Sequence, residues 1–349
     1  MIEEVAADRL EGAPHPRERQ VLVGHRDAER TLLEAYRGPR MHHAWLIGGP
    51  EGIGKATLAY RFARFVLAHP DPRLIPPGTG DLAVAQDHPV ARQITAGAHP
   101  DLLALRRIAE AGKDKIPQDI AVAAVREIVR FFGSTAGAGG WRICIVDSAD
   151  ELNRFGANAL LKLLEEPPAR SLFLIISHLP GALLPTIRSR CRTLTLAPLA
   201  SEEVAAGLAG FDTLEVDPDE VGRIAALSDG SLRRALQLAD GGQAAFAAEL
   251  QAALASLPRI DPLAMHAIGD RLARKDDQTF DLFLRLVFDH LSAAVRDQAR
   301  AGGRRLAPHA EVWEKVETAA AEVRTFNLER KPFAFQVFGW LAEAGRQRP

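Results

Sequence analysis

The chain has 349 residues, with 43 Lys and Arg against 45 Asp and Glu, a formal net charge of −2 that gives no overall electrostatic pull toward nucleic acid. At about 150 residues per domain this length predicts two or three cores, and 47% apolar with 25% charged residues excludes widespread disorder. Two cysteines exclude a disulfide framework and a four-cysteine zinc site, and no apolar run approaches the roughly 18 residues of a membrane span.

In chain order, the acidic N-terminus (MIEEVAADRLEGAPHP) lacks the basic-then-apolar layout of a signal peptide, so a cytoplasmic location is expected. Residues 44–47 form a short apolar run ending in glycines and predict a buried strand. From Lys55 onward Leu58, Phe62, Phe65 and Val66 recur at helical spacing. Residues 70–100 are rich in Pro, Gly and Asp and predict a surface excursion with one short helix. Ile120, Val125 and Ile128 mark a helix that starts near residues 117–119, and residues 134–140 (STAGAGG) are a flexible turn. Residues 142–146 (RICIV) are a second strand, 157–164 a helix stopped by Pro167 and Pro168, and 172–176 (LFLII) a third strand. A short helical turn at 185–190 precedes a strand at 193–196. Strands that alternate with helices and are nearly continuously apolar predict an α/β parallel sheet covered on both faces. After Pro198 the pattern is helical only. Residues 201–208, 218–227 and 231–238 predict a three-helix unit, and four further helices follow from about residue 262, the longest over 279–299.

Gly49-Pro50-Glu51-Gly52-Ile53-Gly54-Lys55 fits the phosphate-binding loop G-x-x-x-x-G-K. Its glycines let backbone N–H groups turn onto phosphate oxygens, and Lys55 supplies a point charge near the outer phosphates. A glycine turn capping a helix, with Lys55 solvated, would use the same residues. The hydroxyl that should follow the lysine to hold magnesium is replaced by Ala56, and Thr57 points about 100° further round the helix. Asp147 ends strand 142–146, read as the strand neighbouring that of the loop, and is placed to orient magnesium through water; a helix N-cap is its bland alternative. Ser148 follows where hydrolytic sites place a general base, and a serine cannot act as one at neutral pH. On chemistry alone the site is expected to hold ATP or ADP with weakened magnesium coordination, and to hydrolyse it poorly.

Gly49–Thr57, VDSADELN (146–153), ANALLKLLEEPP (157–168), the strand ending at Ser177 and the trio Ser189-Arg190-Cys191 occur in this order. Together with GSLRRAL (230–236), His42-His43-Ala44 and residues 116–126, they resemble the AAA+ subunits of the bacterial DNA polymerase III clamp loader. The resemblance spans about residues 20–240. It implies an AAA+ P-loop domain (1–198), a small helical lid (199–245) and an all-helical collar that oligomerises (246–349). It further implies a cytoplasmic hetero-oligomer whose partners are other loader subunits, the sliding clamp and primer–template DNA. Arg190 becomes an arginine finger presented in trans to a neighbour's nucleotide, worth about 10³–10⁵ in rate; alone it would read as a cation closing a short helix. Ser177 becomes a sensor-like residue, Arg233 a lid residue reaching phosphate, with a solvated arginine in the first turn of a helix as its equal alternative, and Leu22-Val23-Gly24-His25 the backbone lining of an adenine pocket. Arg154 is a candidate contact to DNA.

Ala56 and Ser148 depart from the motor subunit of that loader, and the region after the first helix carries no zinc-ligand cysteines, so no zinc is expected. A non-hydrolysing ring member is therefore favoured. An active ATPase motor of the same loader and a small-molecule or nucleotide kinase on the same loop are the alternatives weighed.

Overall fold

The computed structural model describes residues 13–39, 41–107, 120, 122–133, 140–211, 216–239, 243–259, 261–300 and 307–346, with backbone only at 122–126, 154, 155, 218, 219, 300 and 307. It divides into two units, Met1–Leu236 and Gln237–Pro349. The first contains α1 (Arg26–Arg37), β1 (Ala44–Gly48), α2 (Lys55–Ala68), α3 (Pro89–Thr95), β2 (Leu102–Leu105), α4 (Val122–Gly133), β3 (Arg142–Val146), α5 (Arg154–Glu165), β4 (Ser171–Ser177), α6 (Pro185–Arg188) and β5 (Arg192–Thr195). The helices α7 (Ser201–Ala209), α8 (Pro218–Leu227) and α9 (Leu232–Ala239) follow. The second unit is built from α10 (Gln243–Ala255), α11 (Pro262–Leu272), α12 (Asp277–Arg300), α13 (Ala307–Phe326) and α14 (Arg330–Arg346).

The sheet order is β2-β3-β4-β1-β5, and every pair is parallel. This gives the expected α/β parallel-sheet class and corrects one inference: β3 does not lie beside β1, because β4 is inserted between them, with Gly48 opposite Ser177 and Val146 opposite Ile175. Alternate residues of each strand feed two cores. Trp45, Ile47, Ile143, Ile145, Leu172, Leu174 and Ile176 pack with Leu58, Phe62, Phe65 and Val66 of α2. Leu46, Cys144, Val146, Phe173 and Ile175 pack on the opposite face with Ile128 and Phe132 of α4 and Leu160 and Leu164 of α5. Burial on both faces is why the central strands read as unbroken apolar runs. Since all strands run one way, the loops after β1, β3 and β4 emerge together at their carboxyl ends, where α/β sheets place their ligands.

The structure adds α1, β2 and α10 to the elements read from sequence. Along α1 the buried stripe is Ala28, Leu32, Leu33 and Tyr36 in an otherwise charged segment. The helix α10 runs through the division expected at 245/246. The expected helix start at 117–119 and the turn at 134–139 lie outside the described residues.

The excursion after α2 is tied down by polar and apolar contacts. Leu82 is fully buried, its N–H donates to the Glu29 carboxylate at 3.0 Å, and the same carboxylate accepts from Arg61. Arg61 also donates to the Gln20 carbonyl, so one ion pair joins the segment before α1, α1 itself, α2 and the excursion. Both side chains of the pair are about nine-tenths buried. Glu29→Gln removes the nearer and more buried of the two carboxylates beside Arg61, leaving Asp81 at 4.0 Å, and is expected to cost about 3 kcal/mol of stability. Urea unfolding measures this, and a loss below about 1 kcal/mol would mean the pair behaves as a surface one.

In the second unit Phe280 and Phe283 of α12 meet Phe333 of α14 with ring centroids 5.5 and 6.1 Å apart, and Phe288 meets Trp313 of α13 at 4.6 Å. Asp276 caps α12, accepting from the Thr279 N–H at 3.0 Å. Among the described residues no helix is long and apolar enough to cross a membrane.

Candidate functional site

The loop after β1 turns through Gly49, Gly52 and Gly54, with φ of 143°, 77° and 105°. These values lie in the region that favours glycine. At Gly52 there is a second requirement. A Cβ there would stand 2.2 Å from Ser231 Oγ and 2.6 Å from Arg233 Cβ, and the Arg233 N–H donates to the Gly52 carbonyl at 3.2 Å. The start of α9 therefore closes directly on the loop. Behind it, the His25 ring Nε2 bonds the Ile53 carbonyl at 2.7 Å.

Lys55, the first residue of α2, is 3% exposed. Its ammonium donates to the Gly49 carbonyl at 2.6 Å and the Pro50 carbonyl at 2.5 Å, and to His178 Nδ1 at 2.8 Å. An ammonium only donates, so Nδ1 must be the acceptor and His178 carries its proton on Nε2. That N–H then donates to Ser148 Oγ at 3.0 Å. Burial pulls the Lys55 pKa down to about 8, against the attraction of Asp147, Glu51 and Asp150, which raises it. His178 is held below the ordinary histidine range by burial first and by the Lys55 charge second. Ser148 sits at φ 62°, an uncommon conformation for a non-glycine residue.

A cavity of about 260 Å³ opens over this cluster, and Gly52, Gly54, Lys55, Ala56, Thr57, Asp147 and Arg233 all line it. Gly49 and Pro50 are not in its lining; their carbonyls hold the Lys55 ammonium. Sequence reasoning missed Arg19, Arg106, Arg107, Glu151 and His178 on the same wall. Arg106 and Arg107 follow β2 directly, so recognising that strand would have placed them at the carboxyl edge. Arg19 lies 3.9 Å over the Phe211 ring, and Arg107 pairs with Glu151 at 2.5 Å. None of Leu22, Val23, Gly24 and His25 lines the cavity.

The donor set fits a phosphate chain, with a buried lysine at a helix N-terminus and several guanidinium groups around it. The fit to magnesium is poorer, since Ala56 offers no oxygen. The volume, about 260 Å³, is just under the roughly 300–1,000 Å³ of small-molecule sites. Among the described residues no group of three or more His, Cys, Asp or Glu side chains is placed to hold a metal ion.

Ser177, the expected sensor, turns away from this cavity. Its hydroxyl donates to Asp150 at 2.7 Å, and the same carboxylate accepts from the N–H groups of His178 at 2.6 Å and Leu179 at 3.2 Å. Successive strand side chains point to opposite faces, so with Ser177 facing Asp150 the next residue, His178, faces Lys55.

Arg190 lies outside the cavity, two residues beyond α6. Its guanidinium pairs with Glu165 at 2.7 Å and donates to the Thr186 carbonyl at 3.0 Å. About a third of the side chain is exposed. Of its neighbours, Ser189 donates to the Thr186 carbonyl at 3.1 Å, and Cys191 packs against the core, its thiol pushed up to about 12 by burial. The side chain of Arg154 is outside the described residues.

A family model described as DNA polymerase III, delta subunit, matches residues 24–200, about half of the chain. DNA polymerase III subunit delta′ of Pseudomonas aeruginosa is 38% identical over 164 residues, 47% of this chain and 46% of that one. The delta′ subunit of Escherichia coli is 35% identical over 186 residues, 53% of this chain and 52% of that one. DNA polymerase III subunit tau of Bacillus subtilis is 28% identical over 228 residues, 64% of this chain and 38% of that one. The chain thus matches about half the length of its delta′ relatives. The family match runs from the segment before α1, through the glycine loop and all five strands, to the start of the helical region, and the chain belongs to the DNA polymerase III, delta subunit family.

Proposed function

We propose that the chain is a delta-prime-type subunit of the DNA polymerase III clamp loader. It scaffolds the loader ring in the cytoplasm and presents Arg190 to a neighbour's nucleotide during ATP-dependent loading of the sliding clamp on primed DNA. Its partners in this reading are loader subunits of the gamma/tau and delta types, the clamp and primer–template DNA. The observation that carries the proposal is chemical. At the loop of this chain Ala56 stands where magnesium needs a hydroxyl, and Ser148, where hydrolysis needs a base, is hydrogen-bonded to His178. Arg190 is complete as a charged fork without any of those groups.

Within this reading, nucleotide bound by the chain itself is structural. ATP or ADP would lie with its phosphates against Gly52, Gly54 and Lys55, flanked by Arg233, Asp147 and Thr57. A bound nucleotide would supply only its polyanionic chain. The residues of this chain bind and orient that chain, with a serine, Ser148, at the position where hydrolysis needs a base.

A motor subunit of the gamma/tau type is the second reading, favoured by the match to subunit tau over 64% of the chain. Steady-state ATP turnover of the purified chain, compared with a ring reconstituted from partners of the same organism, separates the two. Silence alone with turnover in the ring is the expected result. Robust turnover by the single chain would put the motor reading first.

A further inference from the structure

Lys55 has three N–H donors, and each has an acceptor. Two of these acceptors, the carbonyls of Gly49 and Pro50, belong to the loop that cradles the lysine and move with it. The third is different in kind. It is the Nδ1 lone pair of His178, a side chain that reaches in from the residue after β4. The imidazole is fixed at its other end by Ser148 after β3, and its backbone N–H is fixed by Asp150. His178 and Lys55 both line the cavity described above.

We propose that His178 is an internal competitor for the phosphate chain of a nucleoside di- or triphosphate at this loop. A phosphate oxygen seated on Lys55 must take over the one N–H that does not belong to the loop. To yield it, the Lys55–His178 bond has to break. The neutral imidazole cannot then compensate, because Nδ1 offers a lone pair toward an anion and the only N–H is spent on Ser148. His178 therefore weakens nucleotide binding while keeping the buried ammonium satisfied in its absence, so an unliganded loop does not strand a buried charge. The inference rests on the reading of this cavity as a nucleotide site and goes beyond it in naming the residue that sets the affinity.

Calorimetric titration of the full-length chain with MgADP and MgATP tests it. His178→Ala is expected to bind about tenfold more tightly than the parent, the scale of one charge-assisted hydrogen bond released. His178→Gln retains a side-chain carbonyl acceptor and is expected to stay near the parent. Ser148→Ala unties the imidazole and is expected to gain a few-fold, giving a second variant with His178 in place. Lys55→Ala in either background should remove binding. Equal affinity of the parent, His178→Ala and Ser148→Ala overturns the competitor role while leaving the nucleotide site standing. Weaker binding by His178→Ala also overturns it, since the imidazole would then be a phosphate ligand. Absence of binding at millimolar nucleotide by every variant overturns both the competitor and the nucleotide reading. The proposal for Arg190, which lies outside the cavity, is untouched by any of these outcomes.

Discussion

Replacing Arg190 with alanine is expected to slow hydrolysis at the neighbouring subunit's nucleotide by about 10³-fold, the lower end of what an arginine finger supplies. The Arg190 side chain is outside its own chain's cavity, partly exposed, and oriented by Glu165 at 2.7 Å and the Thr186 carbonyl at 3.0 Å. A guanidinium held by two partners presents its remaining N–H groups in a fixed fork, the geometry that matches phosphate oxygens. Because the pair with Glu165 is exposed, its loss should leave folding nearly unchanged. Single-turnover phosphate release from the reconstituted ring is the measurement, with a thermal melt of the isolated variant as control. An unchanged release rate in the ring removes the finger. Arg190→Lys retains the charge but not the fork, and is expected to recover only part of the rate.

Gly49→Ala should cost about 4 kcal/mol of the stability of the first unit, combining backbone strain with overpacking. Gly49 has φ 143°, and a Cβ there would stand 2.5 Å from the Leu196 carbonyl oxygen. That oxygen is backbone and has no rotamer to escape into. Leu196 is 3% exposed, and its N–H donates to the Gly48 carbonyl at 2.8 Å, so both sides of the clash belong to the same β1–β5 connection. Gly54 is the matched control. Its φ is 105°, yet the nearest atom to a Cβ there is 3.6 Å away, so Gly54→Ala should show backbone strain alone, about 1–3 kcal/mol. Urea unfolding of the two variants compares them. Equal losses would mean that crowding at Leu196 does not decide the outcome at Gly49.

Much of the fold was legible because burial writes itself into local pattern. The strands at 44–47, 142–146 and 172–176 are apolar on both faces, and the structure extends each by no more than two residues. The helix after Lys55 and the helix at 218–227 were likewise readable from period and stops. The elements that escaped are those with weak or misleading pattern. The strand β2 is four residues long, too short to tell from a loop by periodicity. Helix α1 is dominated by charge, and only its narrow stripe of Ala28, Leu32, Leu33 and Tyr36 enters the core. Helix α10 is rich in alanine and has no clear polar face to set against an apolar one.

The site divides the same way. Glycine spacing, Lys55, Ala56 and Ser148 are local facts, and they already state which chemical groups the loop has and which it lacks. That Asp147 follows the end of a strand is legible in the sequence, but its distance from the loop depends on strand order. Only the sheet reveals that β4 separates β3 from β1. That insertion brings the residue after β4 opposite the lysine, and strand alternation then decides that His178 faces Lys55 while Ser177 faces Asp150. Composition class, the α/β pattern, the phosphate loop and its missing hydroxyl are legible in the chain alone, because each depends on residues close together in it. What touches Lys55, what covers Gly52 and where Arg190 points came from tertiary contact: His178 reaches Lys55 from the residue after β4, Ser231 and Arg233 reach Gly52 from the start of α9, and Glu165 reaches Arg190 from the end of α5, and local periodicity does not specify such meetings between separate elements.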